Sequence, residues 1–186
     1  MKRISHPRSR LKKNLFVLGL VIWLTGCGQA DGRNAQDTHM TQSKMTLWQA
    51  IDALVNQIPF SKPKVESTLG AQLSEVRRNP YTVFLQNERT VVLAGGERIN
   101  KIDLRLGTEE GDPGFLALDI DGDCIGIEAV RSHYGEVKIT DVPRGRSLDE
   151  ATTHSTVLPW GKLSFGFKER NPDCLAYVVL NPKKAE

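Results

Sequence analysis

The 186-residue chain has no apolar run long enough to cross a membrane as a helix. Its longest, Leu15 to Leu24, has ten residues, whereas a stable transmembrane helix needs about 20. The familiar catalytic signatures are also missing. There is no Gly-x-Ser-x-Gly, no His-Glu-x-x-His and no phosphate-cradling glycine loop. Asp119-Ile120-Asp121-Gly122-Asp123 resembles the start of a calcium loop, but that pattern needs Gly at its sixth position and Glu at its twelfth, and here those places hold Cys124 and Val130. A strand end, a turn at Gly122 and a helix cap at Asp123 explain the acids without a metal. The chain is therefore not expected to be an enzyme, and no metal, cofactor or small-molecule substrate is expected.

The N-terminus is rich where the rest is poor. Lys2, Arg3, Arg8, Arg10, Lys12 and Lys13 precede the apolar run, with no acidic residue among them, and Thr25-Gly26-Cys27 follows it. A basic segment, a short apolar segment and small residues make a secretory signal. Leu24-Thr25-Gly26-Cys27 resembles the lipobox of bacterial lipoproteins. That resemblance implies cleavage before Cys27, so that 1–26 is a signal peptide, and acylation of Cys27. It implies attachment to the membrane through the N-terminal lipid. Gly28, rather than Asp, after the cysteine implies the periplasmic side of the outer membrane.

Cleavage would change the charge. Six of the 25 basic residues lie in the signal, which leaves 19 against 22 acidic residues, net −3. A mildly acidic domain argues against nucleic acid as a partner. Residues 27–44 read as the lipidated cysteine and a polar, flexible tether. Residues 45–182 read as one domain and 183–186 as a solvated tail. Cys124 and Cys174 remain as a pair in an oxidising compartment, which favours a disulfide. The alternative, a catalytic thiol, would need His133 or His154 beside it, and the sequence places neither there.

Leu47, Ile51, Leu54 and Ile58 fall on one helical face, predicting a helix over 46–58 that stops at Pro59. Ser61 and Pro63 start a second short helix carrying Val65, Leu69 and Leu73 on one face. Residues 81–86 and 90–94 are β-rich, and Gly95-Gly96 suggests a turn. Ile102, Leu104 and Leu106, then Leu116, Leu118 and Ile120, alternate as half-buried strands around a loop at 107–114, where Glu109, Glu110 and Asp112 read as a wet turn. A third helix is predicted from Cys124 to about Tyr134, capped by Asp123 and stopped at Gly135. Residues 137–158 read as irregular and polar, with a capping box at Ser147 and Glu150. Two strands close the domain, one alternating at Leu163, Phe165 and Phe167 and one nearly continuous at 174–180, joined by a turn at Asn171-Pro172-Asp173.

The expected class is α+β, with short helices packed on one face of an antiparallel sheet. Val65, Leu69 and Gly70 match Val130, Tyr134 and Gly135 at an offset of 65 residues, and Gly96 matches Gly161. Two tandem helix-plus-sheet halves, 60–120 and 121–182, fit that spacing. Short helices ending in a Leu/Tyr-Gly pair and followed by antiparallel strands resemble the β-lactamase-inhibitor-protein-like fold, which includes outer-membrane lipoproteins of the SmpA/OmlA type. The resemblance implies protein binding across an exposed sheet face.

The candidate partner-binding residues are Arg144 and Arg146 in Pro143-Arg144-Gly145-Arg146, because arginine forms bidentate bonds to carboxylates and is enriched at interface hot spots. Trp160 is a candidate anchor or a core residue. A Ser155/His154 nucleophile pair is adjacent in sequence and gives no reason for the two side chains to face each other. The leading expectation is a lipoprotein that binds a periplasmic or outer-membrane protein, as an inhibitor or immunity protein against a secreted toxin or enzyme. The alternative is a structural accessory of outer-membrane assembly or envelope maintenance.

Overall fold

The computed structural model describes residues 40–184. The expected signal peptide, Cys27 and the tether up to residue 39 lie outside the described residues. In chain order the elements are β1 (Met40–Gln42), α1 (Leu47–Val55), α2 (Lys62–Leu69), β2 (Leu73–Arg78), β3 (Thr82–Asn87), β4 (Thr90–Val92), β5 (Glu97–Gly107), β6 (Phe115–Gly122), α3 (Ile127–Tyr134), β7 (Lys138–Asp141), β8 (Ala151–Leu158), β9 (Gly161–Lys168) and β10 (Leu175–Pro182). The class is mixed α and β, dominated by one large, mostly antiparallel sheet.

Local chemistry sets the helix ends. Thr46 and Gln49 form a reciprocal capping box that starts α1. Leu47, Ala50, Ile51 and Leu54 make its buried face, and the helix ends at Val55, short of Pro59. Pro63 sits in the first turn of α2, where its missing N–H costs nothing, and Gly70 closes the helix at a φ of 66°. Trp48 of α1 stacks on His133 of α3 with ring centroids 4.8 Å apart, and meets Tyr134 edge-on at 5.9 Å. Burial, with Asp52 close by, holds the Tyr134 phenol well above its usual pKa.

The sheet runs β1-β4-β5-β6-β10-β9-β8-β7. The eleven-residue β5 takes β4 along its first part and β3 along its last, and β2 pairs outside β3. Every pairing is antiparallel except β1 with β4. Alternate residues Ile102, Leu104, Leu116, Leu118, Phe165, Phe167, Val178 and Leu180 point to the core, which is one continuous cluster that also takes in residues of all three helices. The nearly continuous apolar stretch at 174–180 is an interior strand, as its composition predicts.

Five expectations are corrected. Leu73, expected on the second helix, instead starts β2, a strand that the apolar spacing does not predict. The tether does not extend to residue 44, because Met40–Gln42 forms β1, a pairing made by backbone groups that needs no apolar side chains. The third helix begins at Ile127, capped at Gly126, rather than at Cys124. The preceding segment is tied to β10: Cys124 and Cys174 form a disulfide with Cα atoms 5.0 Å apart, and Leu175 N–H donates to the Ile125 carbonyl at 2.9 Å. Residues 137–158 are irregular only at 137 and over 142–150, since 138–141 and 151–158 form β7 and β8. Their polarity hides the strand period because β8 turns hydroxyls, not methyl groups, toward its neighbours. Ser155 donates to Ser164 at 2.8 Å, and Thr140 bonds Ser155 at 2.8 Å. The Ser147–Glu150 segment is a turn, not a helix start.

Candidate interaction surface

The strand registers that bury one set of residues turn the alternate set outward. Lys101, Asp103 and Arg105 of β5 face the same way as Asp119, Ala117 and Phe115 of β6. Tyr177 and Val179 of β10, Gly166 and Ser164 of β9, and Thr153 and Ser155 of β8 continue that face. Its middle is floored by small side chains. Tyr177 lies flat across β9 because Gly166 has no Cβ, and a Cβ there would collide with the ring. The Tyr177 hydroxyl bonds Thr153 Oγ1 at 2.6 Å, which fixes the ring in place. Ser155 and Ser164 are buried and satisfy each other.

At one end of this face arginines and phenylalanines alternate. The Arg77 guanidinium lies 3.7 Å from the centre of the Phe84 ring. Arg105 lies 5.7 Å from that ring and 4.8 Å from Phe115. Arg105 is held by Asp103 at 2.7 Å. An open cleft of about 500 Å³ adjoins this ladder, bordered by Tyr81, Phe84, Arg105, Phe115, Asn181 and Lys184. Lys184 pairs with Glu109 at 3.6 Å and Asp112 at 3.5 Å across its rim.

The 142–150 loop stands at the other end, and a hollow lined by Arg144, Arg146 and Tyr177 joins it to the sheet face. Its backbone is fixed: Arg170 N–H donates to Leu148, Glu169 N–H to Glu150, and Arg144 N–H to the Glu150 carboxylate. Asp149 is engaged by Arg170 at 2.6 Å and Lys168 at 3.8 Å. The exposed Arg144 and Arg146 side chains have no acidic partner among the described residues. Val142 and Leu148 beside them are exposed apolar side chains. Trp160 sits in the β8–β9 turn, half-buried and packed against the core cluster.

The other candidate positions separate. Asp121 bonds Arg98 at 3.0 Å, and its carboxyl is held below the usual range by the Gly122 backbone and then by Arg98 and Asn100. No cluster of three His, Cys, Asp or Glu side chains with metal-binding geometry occurs among the described residues. His154 and Ser155 are consecutive in β8 and point to opposite faces, His154 toward Phe167 and Ser155 toward Ser164. Cys124 and Cys174 are both consumed by the disulfide. The Arg77–Phe84 stack is not legible in the sequence because it joins residues across strands whose pairing is set by a bulge between Glu75 and Arg77; the local signal was an arginine pair ahead of Pro80, outside the β-rich stretch at 81–86. No family model, curated protein or solved structure matches the chain.

Proposed function

We propose that this chain is an outer-membrane lipoprotein, anchored on the periplasmic side through Cys27, whose domain binds and neutralises a protein, as an inhibitor or immunity protein against a secreted toxin or enzyme. The carrying observation is the outward sheet face. It pairs a floor of small side chains, Ala117, Ser164 and Gly166, with arginines at both ends, Arg77 and Arg105 on one side and Arg144 and Arg146 on the other. Arginine-bearing rims around a shallow, hydrogen-bonded floor suit a protein surface better than a reaction centre. On this reading the helices lie against the opposite face, and two tandem units make the sheet. One unit is α2 with β2, β3, β5 and β6; the other is α3 with β7, β8, β9 and β10. The strand order brings their last strands together at β6–β10, and β7 starts 65 residues after β2, the offset of the matching helix-end residues.

The test is protection. Each secreted lipase, peptidase or amidase encoded beside this gene is directed to the periplasm of a host with and without the full chain. Rescue from one such enzyme, with a stable complex of the two proteins, is the expected result. Failure of rescue, together with co-purification of only barrel-assembly components and an envelope defect on deletion, would establish the structural-accessory reading instead.

A further inference from the structure

The described arginines fall into two groups. Arg78, Arg98, Arg105, Arg131 and Arg170 each pair with a carboxylate at 3.0 Å or less. Arg77, Arg89, Arg144 and Arg146 have no acidic partner among the described residues, and of these four Arg77 is the one stacked on a described aromatic ring, 3.7 Å over Phe84. The neighbouring Arg78 shows the contrast, since Glu75 grips it through both Nε, at 2.9 Å, and Nη2, at 2.7 Å. The bulge between Glu75 and Arg77 separates the two side chains and leaves Val76 exposed. A guanidinium stacked by its face keeps its N–H edge free for a second partner. Ordering the side chain beforehand lowers the entropy lost on binding.

We propose that the Arg77–Phe84–Arg105–Phe115 ladder is a preformed anchor for a carboxylate on an acidic segment of a protein partner, with Val76 and Tyr81 receiving an apolar side chain beside that carboxylate. This deepens the protein-binding reading and rests on it. Charge complementarity selects the occupant. Arg105 is already neutralised by Asp103, and the adjoining rim carries Glu109 and Asp112 against Lys184. With Arg105 and Lys184 both paired to acids, Arg77 is the ladder's one guanidinium without an acidic partner among the described residues, and a single carboxylate matches that charge where a phosphate dianion exceeds it. Tyr81, 75% exposed, and Val76, 54% exposed, add the apolar contact that a protein segment supplies and a free anion does not.

The test titrates the full chain, with labelled arginine side chains and phenylalanine rings observed by NMR, against three probes at low salt. These are a short peptide with Glu flanking Leu, the same peptide with Gln for Glu, and inorganic phosphate. The expected result is movement of the Arg77 Nε–H and Phe84 ring signals with the Glu peptide, at an affinity roughly tenfold above the Gln peptide. Arg77→Gln removes that difference, Arg77→Lys keeps only part of it, and Arg78→Gln leaves it unchanged. Equal affinity for the two peptides, tighter binding of phosphate, or a response at Arg144 and Arg146 without one at Arg77 would overturn the anchor. Because the titration reads the site alone and the protection assay reads the role, either can fail while the other stands.

Discussion

Gly166 and His154 face opposite sides of the sheet and carry opposite constraints. Gly166 is required because the Tyr177 ring occupies the space a Cβ would take. Gly166→Ala must displace that ring and break its 2.6 Å bond to Thr153. The expected cost is about 1–3 kcal/mol, read as a fall in Tm of several degrees. In the Gly166→Ala/Tyr177→Ala double variant the costs should be less than additive, because the clash is gone. His154 lies edge-on to Phe167, and its Nδ1 is buried with no hydrogen-bond partner among the described residues. Desolvation, and secondarily Arg131, lowers its pKa below the ordinary 6.5. A group that binds its proton more weakly when folded adds stability above the unfolded value and loses it as pH falls through the folded value. Stability should therefore drop on acidification below about pH 6.5, and His154→Gln should flatten that part of the profile in denaturant titrations from pH 7 to 5. An unchanged slope in the variant would assign the dependence to other groups.

The decisive element is the segment 123–126 with the start of β10. The disulfide closes a loop with a sequence separation of 50, which contributes roughly 3–4 kcal/mol by restricting the unfolded chain. Cys124→Ser/Cys174→Ser should lower the unfolding free energy by about that amount while keeping the sheet, as judged by circular dichroism at low temperature. A much smaller loss would mean that the Leu175–Ile125 hydrogen bond and its neighbours hold the segment alone. The same element shows what was legible. Apolar spacing predicted α1, α2, β5, β6, β9 and β10, because each buries side chains at its own period. It missed β2, which buries only Leu73, and β7 and β8, whose hydroxyls pair with each other, and it extended α3 into residues held by the disulfide. A period can be read only where burial, rather than cross-strand hydrogen bonding or a covalent tie, selects the side chains.

For the whole molecule, the proposed working arrangement is a domain on a lipid. Cys27→Ser should stop globomycin-sensitive processing and release the protein from the membrane fraction, measured by cell fractionation and by intact mass. Continued membrane attachment of the variant would refute the lipid anchor. Arg144→Ala/Arg146→Ala should leave Tm nearly unchanged, since neither side chain has an acidic partner among the described residues, and should weaken protection against the cognate enzyme. A large fall in Tm would instead assign the pair to the fold.

By itself the sequence determined the helix faces, the periods of the strands that bury apolar side chains, and the even cysteine pair. These are local properties, carried by spacing and residue type along the chain. Tertiary structure alone decided which face of the sheet turns outward, that Tyr177 lies over Gly166, and that Arg77 stacks on Phe84 with no acidic partner among the described residues. Those depend on register between strands far apart in sequence, where a one-residue slip sends every side chain to the other face. The candidate arginines at 144 and 146 could be named from the sequence, but their neighbour Asp149 is engaged elsewhere only because β9 and the turn after it bring Lys168 and Arg170 against the loop.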